Sequence, residues 1–334
     1  MLHLRMISPP ESTDEVLAVL AADPGVTHVT LARGGAVEPK GDLVEADVAR
    51  EAANAVLEDL TALGICHSGG LTLTPVETVL SDAGERAVHE APGDPSDAVV
   101  WEELIAQTHE ESSLNATFLA FLTIACLLAA VGVTTDSPVT IVGAMVVGPE
   151  FGPLAAFAVA LVRRDFRLAR RSAVALAVGF PVAMVVTLLA TVVWEQVGWI
   201  TIDGVGSIEQ VDFIYQVGPF SLVVALLAGA AGMLSLVTAK SAALVGVFIS
   251  VTTVPAAGFA VVAATLGEWR VAFLSAGQLA VNMGGIIVAG IIVLALRPRA
   301  GGEAGPVERF KRLIGMRSPV GQEAGFTAVR RYRR

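Results

Sequence analysis

Glu150 is an ionisable side chain in the middle of an apolar stretch, SPVTIVGAMVVGPEFGPLAAFAVALV, running from Ser137 to Val162. Two Gly-Pro pairs flank it, Gly148-Pro149 and Gly152-Pro153. Proline removes a backbone donor and glycine relaxes the backbone, so a helix here should break near its centre. A break exposes main-chain donors on one side and carbonyls on the other, and an acid placed there can hold a proton or a cation. The bland alternative is a carboxylate paired with a buried donor or facing a water-filled vestibule. A second break is expected at Thr252-Thr253-Val254-Pro255, where two hydroxyls precede a proline. Gln278 and Asn282, four residues apart, would share one helix face. Such amides serve either as hydrogen-bonding glue between helices or as the lining of a path.

These residues need a membrane to act in. From Met1 to Ser113 the chain has 21 acidic and 5 basic residues, and from Leu114 onward it has 11 and 17. The acidity thus belongs to the first third, which has no apolar run long enough to cross a bilayer. The rest has six apolar segments, at about 114–133, 137–162, 172–194, 219–238, 241–266 and 272–296. With the N-terminus inside, alternate crossings place 16 of those 17 basic residues on the cytoplasmic side, including Arg163, Arg164, Arg167, Arg170 and Arg171; Arg270 is the exception. Folding 137–162 as a re-entrant hairpin would move the arginine cluster outside, against that rule. No leader with a basic and then an apolar region is seen, so the polar domain is expected in the cytoplasm and the chain in the inner (plasma) membrane.

A shift of 103 residues lays one half of the membrane region on the other without gaps. VGAMVVGPEFGP (142–153) then faces VGVFISVTTVPA (245–256), and RDFRLARRSAVALAV (164–178) faces GEWRVAFLSAGQLAV (267–281). Three crossings per half make the repeats inverted, the arrangement of secondary transporters with broken helices and a mid-depth site.

The predicted architecture is therefore an α-helical polytopic membrane protein. It has six transmembrane helices as 3+3 inverted repeats, with broken second and fifth helices. Before them comes an α/β ferredoxin-like (βαββαβ) cytoplasmic domain over 1–81. Its strands are LHLRMIS, THVTLAR, DLVEADV and GGLTLTPVETVL, with GGAVEPKG as the central turn. A polar Pro/Gly linker over 82–97 and a connecting helix fill 82–113, with Trp101 as an interfacial anchor. Repeat 1 spans 114–196, an external loop 197–216, repeat 2 217–297, and a basic cytoplasmic tail 298–334.

No GxSxG, HExxH, Walker or dinucleotide motif occurs, so enzymatic activity is not expected. The two cysteines, Cys66 and Cys126, and five scattered histidines suggest no disulfide, metal or cofactor. Nucleic-acid binding has no support beyond the tail, which anionic lipid explains better. The expected partners are the bilayer, an unknown small solute or ion, and further copies of the chain.

The Asn115 start, the Gly132-to-Ser137 segment, Gly143-Ala144-Met145 and the Pro149-to-Pro153 break resemble a bacterial hydrophobic-domain family, domain of unknown function 389. The resemblance covers about 114–255 well. It implies a membrane fold and names no substrate. The leading expectation is a secondary transporter of a small solute or ion. Its site would be Gly148, Pro149, Glu150, Gly152, Pro153, Thr252, Thr253, Pro255, Gln278 and Asn282, with proton coupling through Glu150 as an option. The alternatives are a channel, or a non-transporting scaffold or sensor regulated through the N-terminal domain.

Overall fold

The computed structural model describes residues 1–76, 78–91, 99–199, 219–238 and 252–296. Most of the expected external loop, the first half of the expected fifth helix and the basic tail lie outside the described residues. The chain divides into two compact units, with Met1–Trp101 in one and Glu102–Ala295 in the other.

The first unit is built on strands β1 (Leu2–Ser8), β2 (Val26–Val37), β3 (Lys40–Val48) and β4 (Gly70–Pro75), with helices α1 (Thr13–Ala22) and α2 (Arg50–Ala62). The sheet is antiparallel, in the order β2-β3-β1-β4. Strict alternation in β1 buries Leu2, Leu4 and Met6, and β3 buries Val44, Ala46 and Val48. These side chains meet Val16 and Leu20 of α1 and Val56, Leu57 and Leu60 of α2 in one core. Gly64, with φ of 75°, closes α2 before a short turn of helix, α3 (Ile65–Ser68).

Four local expectations are corrected. GGAVEPKG is not the turn as a whole: β2 continues to Val37 and β3 starts at Lys40, leaving only Glu38 and Pro39 between them. The glycines instead sit at a register shift between Ala32 and Ala36. There Gly34 takes φ of 63°, and its N–H donates to Asp42 at 2.7 Å. The expected linker begins as helix α4 (Asp82–Glu90). Ser81 caps it by accepting from the Ala83 and Gly84 N–H groups, and Gly84 and Ala87 give it a buried face that composition alone obscures. Trp101, expected at an interface, is buried, and its main-chain N–H donates to Asn54 at 3.1 Å. The last predicted strand also stops early, at Pro75.

The second unit is helical. Helix α5 (Trp101–Glu111) leads to α6 (Ala116–Thr134), α7 (Pro138–Val147), α8 (Phe151–Arg163) and α9 (Phe166–Gln196), then α10 (Pro219–Val237), α11 (Thr253–Thr265) and α12 (Trp269–Leu296). Side-chain caps set three starts: Asn115 accepts from Phe118 N–H, Ser137 from Thr140 N–H, and Asp165 from Arg167 and Leu168 N–H. Among the described residues four helices, α6, α9, α10 and α12, are long and apolar enough to cross a membrane, and α7 with α8 makes up to a fifth. On α9, Val174, Val178, Val182, Val185, Leu189 and Val193 form an exposed apolar stripe, at helical spacing. A stripe of that length suits lipid and not water.

Helix α11 is the centre of this unit. It is buried from Thr253 to Ala263 and lies against α6, α7 and α9. Small residues allow the approach: a Cβ on Gly258 would come 2.6 Å from the Ala129 Cβ. Likewise, a Cβ on Gly229 of α10 would come 2.6 Å from the Ile286 Cα of α12.

The 103-residue shift carries several local features onto one another. Arg164 (φ 59°) and Gly267 (φ 76°) are both left-handed, and α9 and α12 start two residues later, at Phe166 and Trp269. The Asp165 N–H donates to Ala160 O at 2.9 Å, and the Glu268 N–H donates to Ala263 O at 2.9 Å. The Asp-Phe-Arg and Glu-Trp-Arg corners thus turn the chain by the same hydrogen bonds.

Candidate functional site

The break predicted around Glu150 is present. Helix α7 ends at Val147, α8 begins at Phe151, and the two are bent by 49°. Gly148 closes α7 in an extended conformation, with φ of −64° and ψ of 127°. A bend of this size leaves both half-helices running in the same general sense, whereas a re-entrant hairpin requires a reversal. Pro149 lies in the break itself. Gly152 and Pro153 are buried in the first turn of α8, where a missing N–H costs no helical bond. Pro255 occupies the corresponding turn of α11 and is buried too.

Glu150 precedes α8 and is 2% exposed. Its Oε1 accepts a 2.6 Å hydrogen bond from the hydroxyl of Thr253, the first residue of α11. Those two positions are the pair related by the 103-residue shift. Its Oε2 is buried with no hydrogen-bond partner among the described residues. Gly148 makes room for that oxygen, since a Cβ there would collide with Oε2 and lie 2.8 Å from a Val254 methyl. Among the described residues no Lys, Arg or His pairs with the carboxylate.

The neighbouring hydroxyl, on Thr252, extends the polar cluster onto α12. Asn282 Nδ2 donates to Thr252 Oγ1 at 2.7 Å, and Gln278 Nε2 donates to Asn282 Oδ1 at 3.0 Å. Gln278 and Asn282 are buried, and Gln278 Oε1 has no partner among the described residues. Of the ten sequence candidates, the structure therefore joins five through polar contacts: Glu150 with Thr253, and Thr252 with Asn282 and Gln278. The other five, Gly148, Pro149, Gly152, Pro153 and Pro255, shape the helix ends and bring no side-chain polar group.

One residue was missed. Ser275 is fully buried on α12, and its hydroxyl has no partner among the described residues. Its counterpart under the shift, Ser172, donates to Leu168 O at 3.0 Å. Ser275 stands three residues before Gln278 and seven before Asn282, so helical periodicity could have found it. The cluster is made of oxygens and amides. No group of three or more His, Cys, Asp or Glu that could hold a metal ion exists among the described residues.

Residues 145–288 match the family model described as Domain of unknown function (DUF389). This bears out the resemblance read from the sequence, over a stretch that starts later than Asn115 and runs further than residue 255. The DUF389 match encloses every residue of the polar cluster, from Gly148 to Asn282. No curated protein and no solved structure matches the chain.

Proposed function

We propose that this chain is an inner-membrane secondary transporter of a small solute or ion, whose site lies where α8 and α11 begin. One observation carries the reading: the buried hydrogen bond from Thr253 to Glu150. A pseudo-two-fold axis brings equivalent positions of two repeats together, and these two positions are equivalent under the 103-residue shift. Matching corners at Arg164 and Gly267 support a true repeat, and the arginine-rich first corner supports the inverted 3+3 layout with six crossings and both termini in the cytoplasm. The strand order β2-β3-β1-β4, with α1 and α2 on one face, supports a ferredoxin-like cytoplasmic domain. An enzymatic role finds no support in the cluster, and self-association stays part of the proposal.

The test is flux in proteoliposomes holding a pH-sensitive dye, under an imposed proton gradient, with a panel of small anions, cations and neutral solutes. Solute-dependent movement of the internal pH is expected with the intact protein. Loss of that proton movement is expected with Glu150→Gln. Unchanged proton movement in the variant would rule out coupling through Glu150.

A specific observation favours a second reading, a non-transporting scaffold. Helix α11 is packed so closely that Gly258 has no room for a methyl group. Absence of flux for the whole panel, with the protein folded in the vesicles, would select it.

A further inference from the structure

We infer that Glu150 is one ligand of a site for a small monovalent alkali cation, of the sodium or lithium class, which competes with a proton for the carboxylate. The inference rests on the transport reading above and names a cargo or coupling ion for the same site.

Buried polar atoms find partners, and a buried carboxylate without one is strongly disfavoured. Glu150 takes one side-chain donor, the Thr253 hydroxyl, while Oε2 is sealed from solvent and has no hydrogen-bond partner among the described residues. On α12, Gln278 Oε1 and Ser275 Oγ are also buried without partners among the described residues, and Asn282 links Gln278 to Thr252, the neighbour of Thr253. The three orphaned atoms are thus all oxygens, and two of them can only accept when the acid is ionised. Thr252 Oγ1, which receives the Asn282 amide, keeps a second lone pair. What this set lacks is positive charge. Carboxylate, amide carbonyl and hydroxyl oxygens are the ligands of hard cations.

Charge decides the valence. One carboxylate balances one unit of positive charge, whereas divalent sites recruit several acids. Helix α7 points its negative end at the break, and α8 and α11 bring positive ends. The two positive ends oppose the cation, so the hold is weak enough to release it, as a transport cycle requires.

A proton satisfies the same carboxylate, so the two ligands exclude one another. Few other groups complicate that competition. Helix α6 brings Cys126 into electrostatic range of Glu150. Helices α7, α10 and α11 carry no titratable side chain. Arg163 closes α8, while Arg167, Arg170, Arg171 and Glu195 lie in the end turns of α9, and Arg270 lies in the first turn of α12.

The experiment is thermal unfolding of the purified full-length protein in detergent, in sodium, lithium or choline chloride at constant ionic strength, from pH 5.5 to 8. Sodium or lithium should raise the melting temperature at pH 8 in a saturable way. The apparent affinity should fall up to tenfold for each pH unit once the proton competes. Glu150→Gln keeps the shape and should abolish the cation effect. Gln278→Leu should weaken it about tenfold, the worth of one lost ligand to a charge. No sodium or lithium effect in the intact protein overturns the inference, and so does an effect that survives Glu150→Gln. Stabilisation that follows the anion, in choline salts, overturns it as well. Cation binding without flux would leave the site standing and sink the transport reading. Flux without cation binding would do the reverse.

Discussion

The Thr253 hydroxyl is the one side-chain donor to the Glu150 carboxylate among the described residues, so each partner can be tested through the other. Thr253→Val keeps the shape and removes the donor. A hydrogen bond to a buried charged group is worth about 1.5–3 kcal/mol, and the variant should lose stability on that scale. Thermal unfolding of the full chain at pH 8 measures it. In Glu150→Gln the same threonine change should cost less, because the charge is gone, and equal losses in both backgrounds would deny the coupling. Gly148 gives a second residue-level test. Its Cβ would collide with Oε2, so Gly148→Ala should displace the carboxylate and destabilise by about 1–3 kcal/mol. Removing the carboxyl as well, in Gly148→Ala with Glu150→Ala, should recover most of that loss, and simple additivity of the two changes would refute the clash.

At the scale of elements, the β2–β3 hairpin hangs on Asp42. The Gly34 N–H and then the Thr13 hydroxyl hold its carboxyl below the usual range, against the cost of burial, and Arg33 assists. Because the folded value is depressed, the stabilisation is fully present above the unfolded value of about 3.9 and is lost as pH falls through the folded one. Exchange protection of the Gly34 amide, corrected for intrinsic rate, should therefore drop below about pH 4. Asp42→Asn should remove that dependence, and a Gly34 amide whose protection ignores both changes would contradict the assignment. Neither the bulge nor its acid could be read from GGAVEPKG, since the glycines look like turn residues until the partner strand supplies Asp42. Helix α4 was hidden for a similar reason. Its cap, Ser81, is local, but the contacts that justify Gly84 inside a helix come from Val79 and Met1. By contrast, the broken helix at Gly148–Glu150 was legible, because proline acts through its own backbone whatever surrounds it. The helix start at Thr253 was legible from Thr252–Pro255 in the same way, while the half-helix expected before it lies outside the described residues. The bond between the starts of α8 and α11 was not legible, although the 103-residue shift had already paired Glu150 with Thr253. A sequence alignment of halves says which positions correspond, and only packing says that they touch.

Across the whole membrane unit, the inverted-repeat proposal has a consequence that no single contact carries. Two corners made by the same hydrogen bonds, at Arg164 and at Gly267, must face opposite sides of the membrane if an odd number of crossings separates equivalent points. Charge agrees with that sense. Arg163, Arg164, Arg167, Arg170 and Arg171 crowd the first corner, and Arg270 stands alone at the second. The measurement is labelling by a membrane-impermeant thiol reagent in a chain whose two cysteines, Cys66 and Cys126, have been replaced. Arg164→Cys should react only from the cytoplasmic face, in inverted vesicles. Gly267 is left-handed, so a side chain there is strained, and the neighbouring Glu268→Cys is the better probe. It should react only from the outer face, in intact cells. Labelling of both positions from one face would make the repeats parallel. The Glu150–Thr253 contact would then need an explanation other than a two-fold axis, and the case for alternating access through it would fail at the level of topology.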